Sequence, residues 1–413
     1  MKFRGSRRAV ALGVTGATIA AVAVGFTGLA WAEPAGEIRA AGGPDAVKGS
    51  FIVVLKESAV AKDHVDSAAR RLAARNGGQV RGNTWSEALR GFEFVASDKK
   101  ARRLAADPAV AYVEQTHLVR IQGTQTNPPS YGLDRLDQAN LPLNRSYTFP
   151  ANTGGNVRAY IVDTGIRFTH SDFRRANGSS RAVTGFDAVT PGGRAVDCNG
   201  HGTHVAGTVG GNQFGVAKGV QLVAVRVLDC EGSGTTAQVI GGINFVTRDA
   251  RGRGPAVANM SLGGGPNTAI DNAVRNSVAS GVTFAVAAGN GNDAGVGVNA
   301  CGESPARVGV AITVGATDRN DRRAGFSNIG RCVDIFAPGV AITSAGFAND
   351  NARATFDGTS MATPHVTGAA ALVLAANPTF TPAQVTTKLL SDATPNVLRN
   401  IPGGTVNRLL RVR

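Results

Sequence analysis

Val157-Arg-Ala-Tyr-Ile-Val-Asp163-Thr-Gly165 is an apolar run that stops on a carboxylate and a tight turn. A short, nearly unbroken apolar run bounded by a turn reads as a strand buried on both faces. The pattern repeats downstream. Apolar runs at Leu222 to Leu228, Val257 to Leu262, Val282 to Ala288 and Val310 to Val314 alternate with helical stretches. Helices are expected from His201, over Thr236 to Arg248, Ala269 to Ser280, Thr359 to Ala375 and Pro382 to Leu390. Buried strands separated by helices predict an α/β domain over residues 131–413, a mostly parallel central sheet with helices on both faces. In such folds sites gather at strand ends and helix starts. Asp163 and Asn290 end strands, and His201 and Ser360 open helices.

Upstream the organisation differs. Ser50 to Leu55, Phe92 to Val95 and Val110 to Val113 read as strands, and Val65 to Arg75 and Lys99 to Ala106 as helices. That β-α-β-α-β order predicts a small α+β unit over residues 49–121. Residues 122–130 include Gln122-Gly-Thr-Gln-Thr-Asn-Pro-Pro129, polar and proline-containing, and are expected to be an exposed linker. Residues 33–48, rich in Ala, Gly and Pro, read as a second linker.

Residues 1–32 read as a signal peptide: Lys2, Arg4, Arg7 and Arg8, then an apolar stretch, then Ala30-Trp31-Ala32 as a cleavage site. The alternative is a membrane anchor, since about twenty apolar residues can span a bilayer. The Ala- and Gly-rich run with its cleavage signal favours a secreted, extracellular protein without stable membrane association. Ser6-Arg7-Arg8 leaves a twin-arginine route open.

At 413 residues the chain suggests two or three folded units, and its 54 glycines imply many close backbone approaches. The net charge of +14 raises the question of nucleic acid. Residues 1–123 hold 18 Lys/Arg against 11 Asp/Glu, and the remainder 25 against 18, so the excess is spread evenly. The later arginines are scattered, with neither a basic stripe nor an aromatic platform, which argues against a nucleic-acid partner. Cys198, Cys230, Cys301 and Cys332 are an even set, which in an exported protein favours disulfides over buried thiols. Three connectivities are open; nearest-neighbour pairing would close two loops of about thirty residues, each stabilising by roughly 3–4 kcal/mol. There is no C-x-x-C pair for zinc.

Asp163, His201 and Ser360 together supply a carboxylate, an imidazole and a hydroxyl, the parts of a nucleophilic centre. Each also has an ordinary reading. Asp163-Thr-Gly165 is a good turn, Ser360 a good helix cap, and Asn290 a good turn residue. His201 and His204 share a helix face, as metal ligands do, but the His-Glu-x-x-His pattern is missing. His201, between Gly200 and Gly202, is therefore the candidate base; His204 and His365 are read as structural. Ser360 at a helix start offers a free backbone N–H to an oxyanion, and the Asn290 amide can offer a second. The conjunction of four such groups at strand ends and helix starts outweighs any one of them.

The motifs Val162-Asp-Thr-Gly165, His201-Gly-Thr-His-Val-Ala-Gly207, Ser261-Leu-Gly-Gly264, Ala288-Gly-Asn290 and Gly358-Thr-Ser-Met-Ala-Thr-Pro-His365 resemble those of the subtilase serine peptidases, in the proteinase K-like branch. The chain order Asp, His, Ser is that of subtilisin, not of chymotrypsin or the α/β-hydrolases. The resemblance implies a secreted serine endopeptidase with Asp163 as orienter, His201 as general base, Ser360 as nucleophile and Asn290 as oxyanion donor. It implies protein or peptide substrates, extended along Gly232, Ser233, Gly234 and Ser261, Leu262, Gly263. Ala287, Ala288 and Gly289 would floor the first side-chain pocket. With Gly291, not a carboxylate, after Asn290, the expected preference is apolar or aromatic, not Lys or Arg.

Residues 49–121 resemble the family's inhibitory propeptide, an intramolecular partner removed near Gln122 to Thr126, and a monomer is expected. The cysteine placement resembles aqualysin-like members and implies the pairs Cys198–Cys230 and Cys301–Cys332. Calcium is the implied ion: Asp334 with the carbonyls of Gly309 and Ala311 at one site, and Asp134, Asp137 and Gln138 at another.

Overall fold

Alternation between apolar runs that suit strands and longer amphipathic stretches that suit helices carries through to the architecture. The computed structural model describes residues 36–42, 46–117 and 122–413; the expected signal peptide lies outside them. The chain divides into two units, residues 1–117 and 118–413.

The first unit runs β1 (Ile38–Arg39), β2 (Ala46–Leu55), α1 (Val65–Arg75), β3 (Gln79–Trp85), β4 (Gly91–Val95), α2 (Asp98–Ala105) and β5 (Val110–His117). Its sheet has the order β1-β5-β2-β4-β3. Phe51, Val53, Phe92, Phe94 and Val113 bury one face of it under Ala69 and Leu72 of α1 and Leu104 of α2. Two strands depart from expectation. Strand β1 falls inside the presumed 33–48 linker because buried Ile38 anchors it to this core and it pairs with β5. The other, β3, is an exposed edge interrupted by Gly82, so it carries little apolar signal.

The second unit opens with β6 (Gln122–Thr126), α3 (Tyr131–Leu136), β7 (Ser146–Pro150), β8 (Arg158–Asp163), β9 (Ala182–Asp187), α4 (His201–Gly210) and β10 (Gln221–Arg226). It continues through α5 (Thr236–Asp249), β11 (Ala256–Met260), α6 (Thr268–Ala279), β12 (Thr283–Ala287), β13 (Ile312–Thr317) and β14 (Ile335–Pro338). The last elements are β15 (Ile342–Ala345), β16 (Arg353–Phe356), α7 (Thr359–Ala376), α8 (Pro382–Asp392), β17 (Thr394–Pro395) and β18 (Arg408–Leu409). Nine strands form one sheet in the order β17-β18-β14-β13-β12-β11-β8-β10-β9. All its pairings are parallel except β17 with β18.

Alternate residues of each strand face opposite layers. Ala159, Ile161, Leu222, Ala224 and Val257 pack with α4 and α7, whereas Tyr160, Val162, Val223, Val225 and Ala258 pack with α5 and α6. Helix α7 is apolar all round and almost wholly buried, as a helix through the middle of a core must be. The segment 122–130 is not an extended linker: Gln122 to Thr126 pair along their length with β7 in a two-stranded sheet. Such a polar pairing is held by backbone hydrogen bonds, which leave no hydrophobic trace in sequence.

His204 and His365 both sit in this core. His204 Nε2 donates to the Ile342 carbonyl at 2.9 Å and its ring lies 4.6 Å from that of Phe356. His365 Nδ1 donates to the Met361 carbonyl at 2.9 Å. Burial pushes both imidazoles down to about 4 from an ordinary 6.5. The unfolded chain therefore takes up protons that the native core refuses, so stability falls as pH drops from 6.5 towards 4, by about 3 kcal/mol per ring. Urea midpoints of the mature enzyme should fall steeply across that window and more gently in His365→Gln. An unchanged slope would contradict the assignment.

Candidate active site

Strand β8 lies between β10 and β11, and the connections on either side leave in opposite directions. A crevice therefore opens beyond the carboxyl ends of β8 and β11, the usual place for a site in an open α/β sheet. Asp163, the last residue of β8, is fully buried at its edge. Its Oδ1 accepts from the Thr164 N–H at 2.8 Å and from His201 Nδ1 at 2.8 Å. A carboxylate can only accept here, so Nδ1 carries the proton and Nε2 keeps its lone pair.

His201 is the first residue of α4 and about a quarter exposed. Its N-cap, Gly200, has φ 109°, and a side chain there would run into the Phe347 ring. Below it sits Asp197, a residue that sequence reading passed over. Its carboxylate accepts from the N–H groups of Asn199, Gly200 and Thr203, each at 2.9 Å, and from the hydroxyls of Thr203 and Thr164. A buried anion at a helix N-terminus is well placed electrostatically, and this one locks the turn that aims His201. The signal available was an Asp four residues before the histidine in an Asp-x-Asn-Gly turn. Burial disfavours the imidazolium, but the charge and hydrogen bond of Asp163, with a contribution from Asp197, outweigh it and hold His201 above its ordinary value.

Ser360 is the second residue of α7. Pro364 lies one turn further and lacks the N–H that would bond the Ser360 carbonyl. That carbonyl instead accepts from Ser261 Oγ at 2.8 Å, while Ser360 Oγ donates to the Ser261 carbonyl at 3.1 Å. Asn259 Nδ2 in turn holds Ser261 Oγ at 2.9 Å. The start of α7 is thereby tied to the end of β11. The expected direct bond between Ser360 and His201 is not among those formed; the hydroxyl rests on the Ser261 carbonyl. Serine–histidine contacts are commonly long in substrate-free enzymes and tighten only once substrate is bound.

Asn290 Oδ1 accepts from the Thr359 N–H at 2.8 Å and the Thr359 hydroxyl at 2.9 Å. This fixes the amide so that its NH₂ is free to donate. Gly358 has φ 151° and ψ 158°, a conformation tolerated essentially by glycine alone. The point where its side chain would begin lies 3.5 Å from the Ser360 nitrogen and 3.6 Å from Asn290 Nδ2. Two N–H donors thus converge on a space kept open by a missing side chain, an arrangement able to stabilise an oxyanion.

A cleft of about 720 Å³ runs beside His201. Gly232, Ser233 and Gly234 line one rim, and Ser261, Leu262 and Gly263 the other. The cysteines form Cys198–Cys230 and Cys301–Cys332, with Cα separations of 5.0 and 5.4 Å. The first bridge joins the turn before His201 to the Gly232 rim, and Asn199 Nδ2 bonds the Cys230 carbonyl there at 2.9 Å. At the expected pocket floor, Ala288 faces inward. Its side chain is wholly buried with Ala300, Val333 and Phe336, so it offers no side-chain surface to a ligand. Ala287 is nearly buried as well, and Gly289 is partly open.

Among the described residues no three His, Cys, Asp or Glu side chains cluster as a metal site. Asp334 shares a cavity with Gly309 and Ala311. Burial pushes its carboxyl up to about 6, against a hydrogen bond from the Thr313 N–H. At the second expected site, Asp137 Oδ1 and Gln138 Oε1 are buried without partners. Asp134 also clamps a loop: its Oδ1 accepts from the N–H groups of Asn144 and Ser146 and its Oδ2 from that of Arg145.

The model of the subtilase family matches residues 154–409. The chain is 50% identical over 384 residues to an extracellular serine proteinase of Thermus sp. (strain Rt41A), covering 89% of this chain and 90% of that protein. It is 46% identical over 335 residues to alkaline serine exoprotease A of Vibrio alginolyticus, covering 79% of this chain and 59% of that one. Among solved structures, a cold-adapted subtilisin-like serine proteinase is 51% identical, with a TM-score of 0.64 over 68% of this chain and 98% of its own.

A base of this kind works only when neutral. Because His201 is held above 6.5, the acid limb of kcat/KM should have its midpoint above that value. Asp163→Asn would present an amide to Nδ1, favour the wrong tautomer and lower kcat by about 10⁴-fold. A midpoint well below 6.5 would contradict the pairing.

Proposed function

The chain belongs to the subtilase family and is a serine endopeptidase, and from that premise we propose that it hydrolyses peptide bonds through Ser360, His201 and Asp163. His201 Nε2 takes the hydroxyl proton as Ser360 attacks the carbonyl carbon, and later returns it to the leaving amine. Asp163 holds the ring from behind. The Ser360 N–H and Asn290 Nδ2 receive the oxyanion, after which water hydrolyses the acyl-enzyme. The observation that carries this reading is the convergence of those two donors on the empty position at Gly358, beside a histidine whose tautomer is fixed by Asp163.

The substrate lies extended between the Gly232–Gly234 and Ser261–Gly263 rims, pairing with them as an added strand. Residues with apolar or aromatic side chains precede the cut, against the Gly263, Ala287 and Gly289 walls. The protein is exported as a zymogen: residues 49–121 act as an intramolecular inhibitor and assist folding, and cleavage near Gln122 to Thr126 releases a monomeric enzyme.

Ser360→Ala should accumulate as an uncleaved precursor, lose labelling by a fluorophosphonate and lose roughly six orders of magnitude in kcat, the loss known for subtilisin. Maturation and casein digestion by this variant would remove Ser360 as nucleophile. A catalytically silent scaffold would also fail to label as wild type.

Calcium is the proposed structural ion. Asp334 with the Gly309 and Ala311 carbonyls fits a hard cation, which would relieve a buried carboxylate, and the unpartnered oxygens of Asp137 and Gln138 fit a second. The ion would supply cross-linking between loops, with no step in the reaction. Chelation should lower the melting temperature, restored by added calcium and much less sensitive in Asp334→Asn. Equal melting with and without chelator would exclude it.

A further inference from the structure

In a chain of net charge +14, no Lys or Arg lines the cleft beside His201, and Glu231 does. A second carboxylate stands beneath it. Glu303 is fourteen residues beyond Gly289 in sequence, yet its Oε2 lies 2.5 Å from where a Gly289 side chain would begin. The same oxygen lies 3.8 Å from the corresponding point on Gly263. In the proposed substrate pose these glycines flank the first side-chain pocket, and the carboxylate approaches both, next to Asn328 Nδ2 at Gly289 and the Ser304 carbonyl at Gly263.

Its placement is built. Gly264 and Ser304 exchange two backbone hydrogen bonds of 3.0 Å, which fixes the neighbouring backbone against the Ser261–Gly263 rim. Fully buried Asn328 donates to Glu303 Oε1 at 3.0 Å and to the Ala288 carbonyl at 2.9 Å, while its own oxygen accepts from Gly291 and Val298. One carboxylate oxygen is thus tied down, and no basic side chain among the described residues pairs with the other. Arg307, one turn further, is engaged by Asp271 at 2.6 Å.

We propose that Glu303 is a specificity residue of the first pocket and that the enzyme cleaves after Lys and Arg as well as after apolar residues. The inference rests on the peptidase reading above. Lysine and arginine carry apolar stems that suit glycine and alanine walls and a cationic tip that needs a partner at the end. A partly buried carboxylate with an open oxygen supplies it, and with less screening than a surface pair. The expectation that basic residues are refused considered only the neighbours of Asn290 in sequence, and Glu303 reverses that part of it.

The test is kcat/KM on paired peptides differing only in Lys, Arg, Leu or Phe before the cut, for the mature enzyme and for Glu303→Gln, which keeps the acceptor facing Asn328. The variant should lose at least about tenfold on Lys and Arg peptides relative to Leu and Phe. A Lys-to-Leu ratio equal in the two enzymes would overturn the proposal while leaving the peptidase reading intact; failure to cleave any peptide would overturn both. Should the variant not fold, competition on the unmodified enzyme decides. Benzamidine should inhibit at least about tenfold more tightly than neutral benzamide, and equal inhibition would overturn the role of Glu303.

Discussion

A carboxylate at the end of a fully buried parallel strand is costly to accommodate. Desolvating it without partners would cost several kcal/mol, so the fold must bring donors to Asp163 from elsewhere. One comes from the next residue, Thr164, and one from the start of α4, thirty-eight residues on. That second donor is the imidazole. The requirement that stabilises the strand end therefore also sets the ring's tautomer and direction. Asp197 repeats the solution one layer further out, where a buried charge is satisfied wholly by helix-start N–H groups and threonine hydroxyls. Two buried carboxylates, held by Thr164 and by the start of α4, tie that turn to the end of β8.

The other half of the site depends on backbone groups that are denied their usual partners. Pro364 frees the Ser360 carbonyl, Ser261 captures it, and the glycine conformation at residue 358 keeps a methyl group out of the space between two donors. None of these contacts is large. Together they hold two N–H donors and a hydroxyl in fixed positions, the kind of preorganisation the proposed reaction calls for. Thr359 contributes without facing the cleft, by accepting the task of orienting the Asn290 amide.

Much of this was legible from sequence where the signal is short in range. Buried strands such as Arg158–Asp163 announce themselves by composition, and helix α7 by an apolar run that begins on a glycine. The triad's residue types sit inside those elements. What escaped was information carried by pairs distant in sequence or by backbone alone. Strand β6 pairs through polar residues, so it resembled a linker, and β1 hung on a single isoleucine. Asp134 was read as a ligand from the resemblance alone; the contacts from Asn144, Arg145 and Ser146 that tie its carboxylate to a loop lie ten to twelve residues on and left no trace at the position itself. Ala288 was read as pocket floor from the resemblance alone; its methyl group packs with Ala300, Val333 and Phe336, residues too distant in sequence to foresee.

The disulfides belong to the same account. Walls made of glycine let a peptide backbone approach closely, but they offer no side chains with which to pack and are conformationally expensive to order. Both covalent links lie beside glycine-rich segments of this kind. Cys198–Cys230 binds the turn before His201 to the Gly232 rim, and Cys301–Cys332 binds the segment carrying Glu303 to the strand region near Asn328. Each closes a loop of about thirty residues, for which the chain-entropy model gives roughly 3–4 kcal/mol. The hydrophobic core under the sheet needs no such help, since its helices and strands interdigitate on both faces. Covalent stabilisation thus falls beside the cleft, whose glycine rims contribute few side chains to packing.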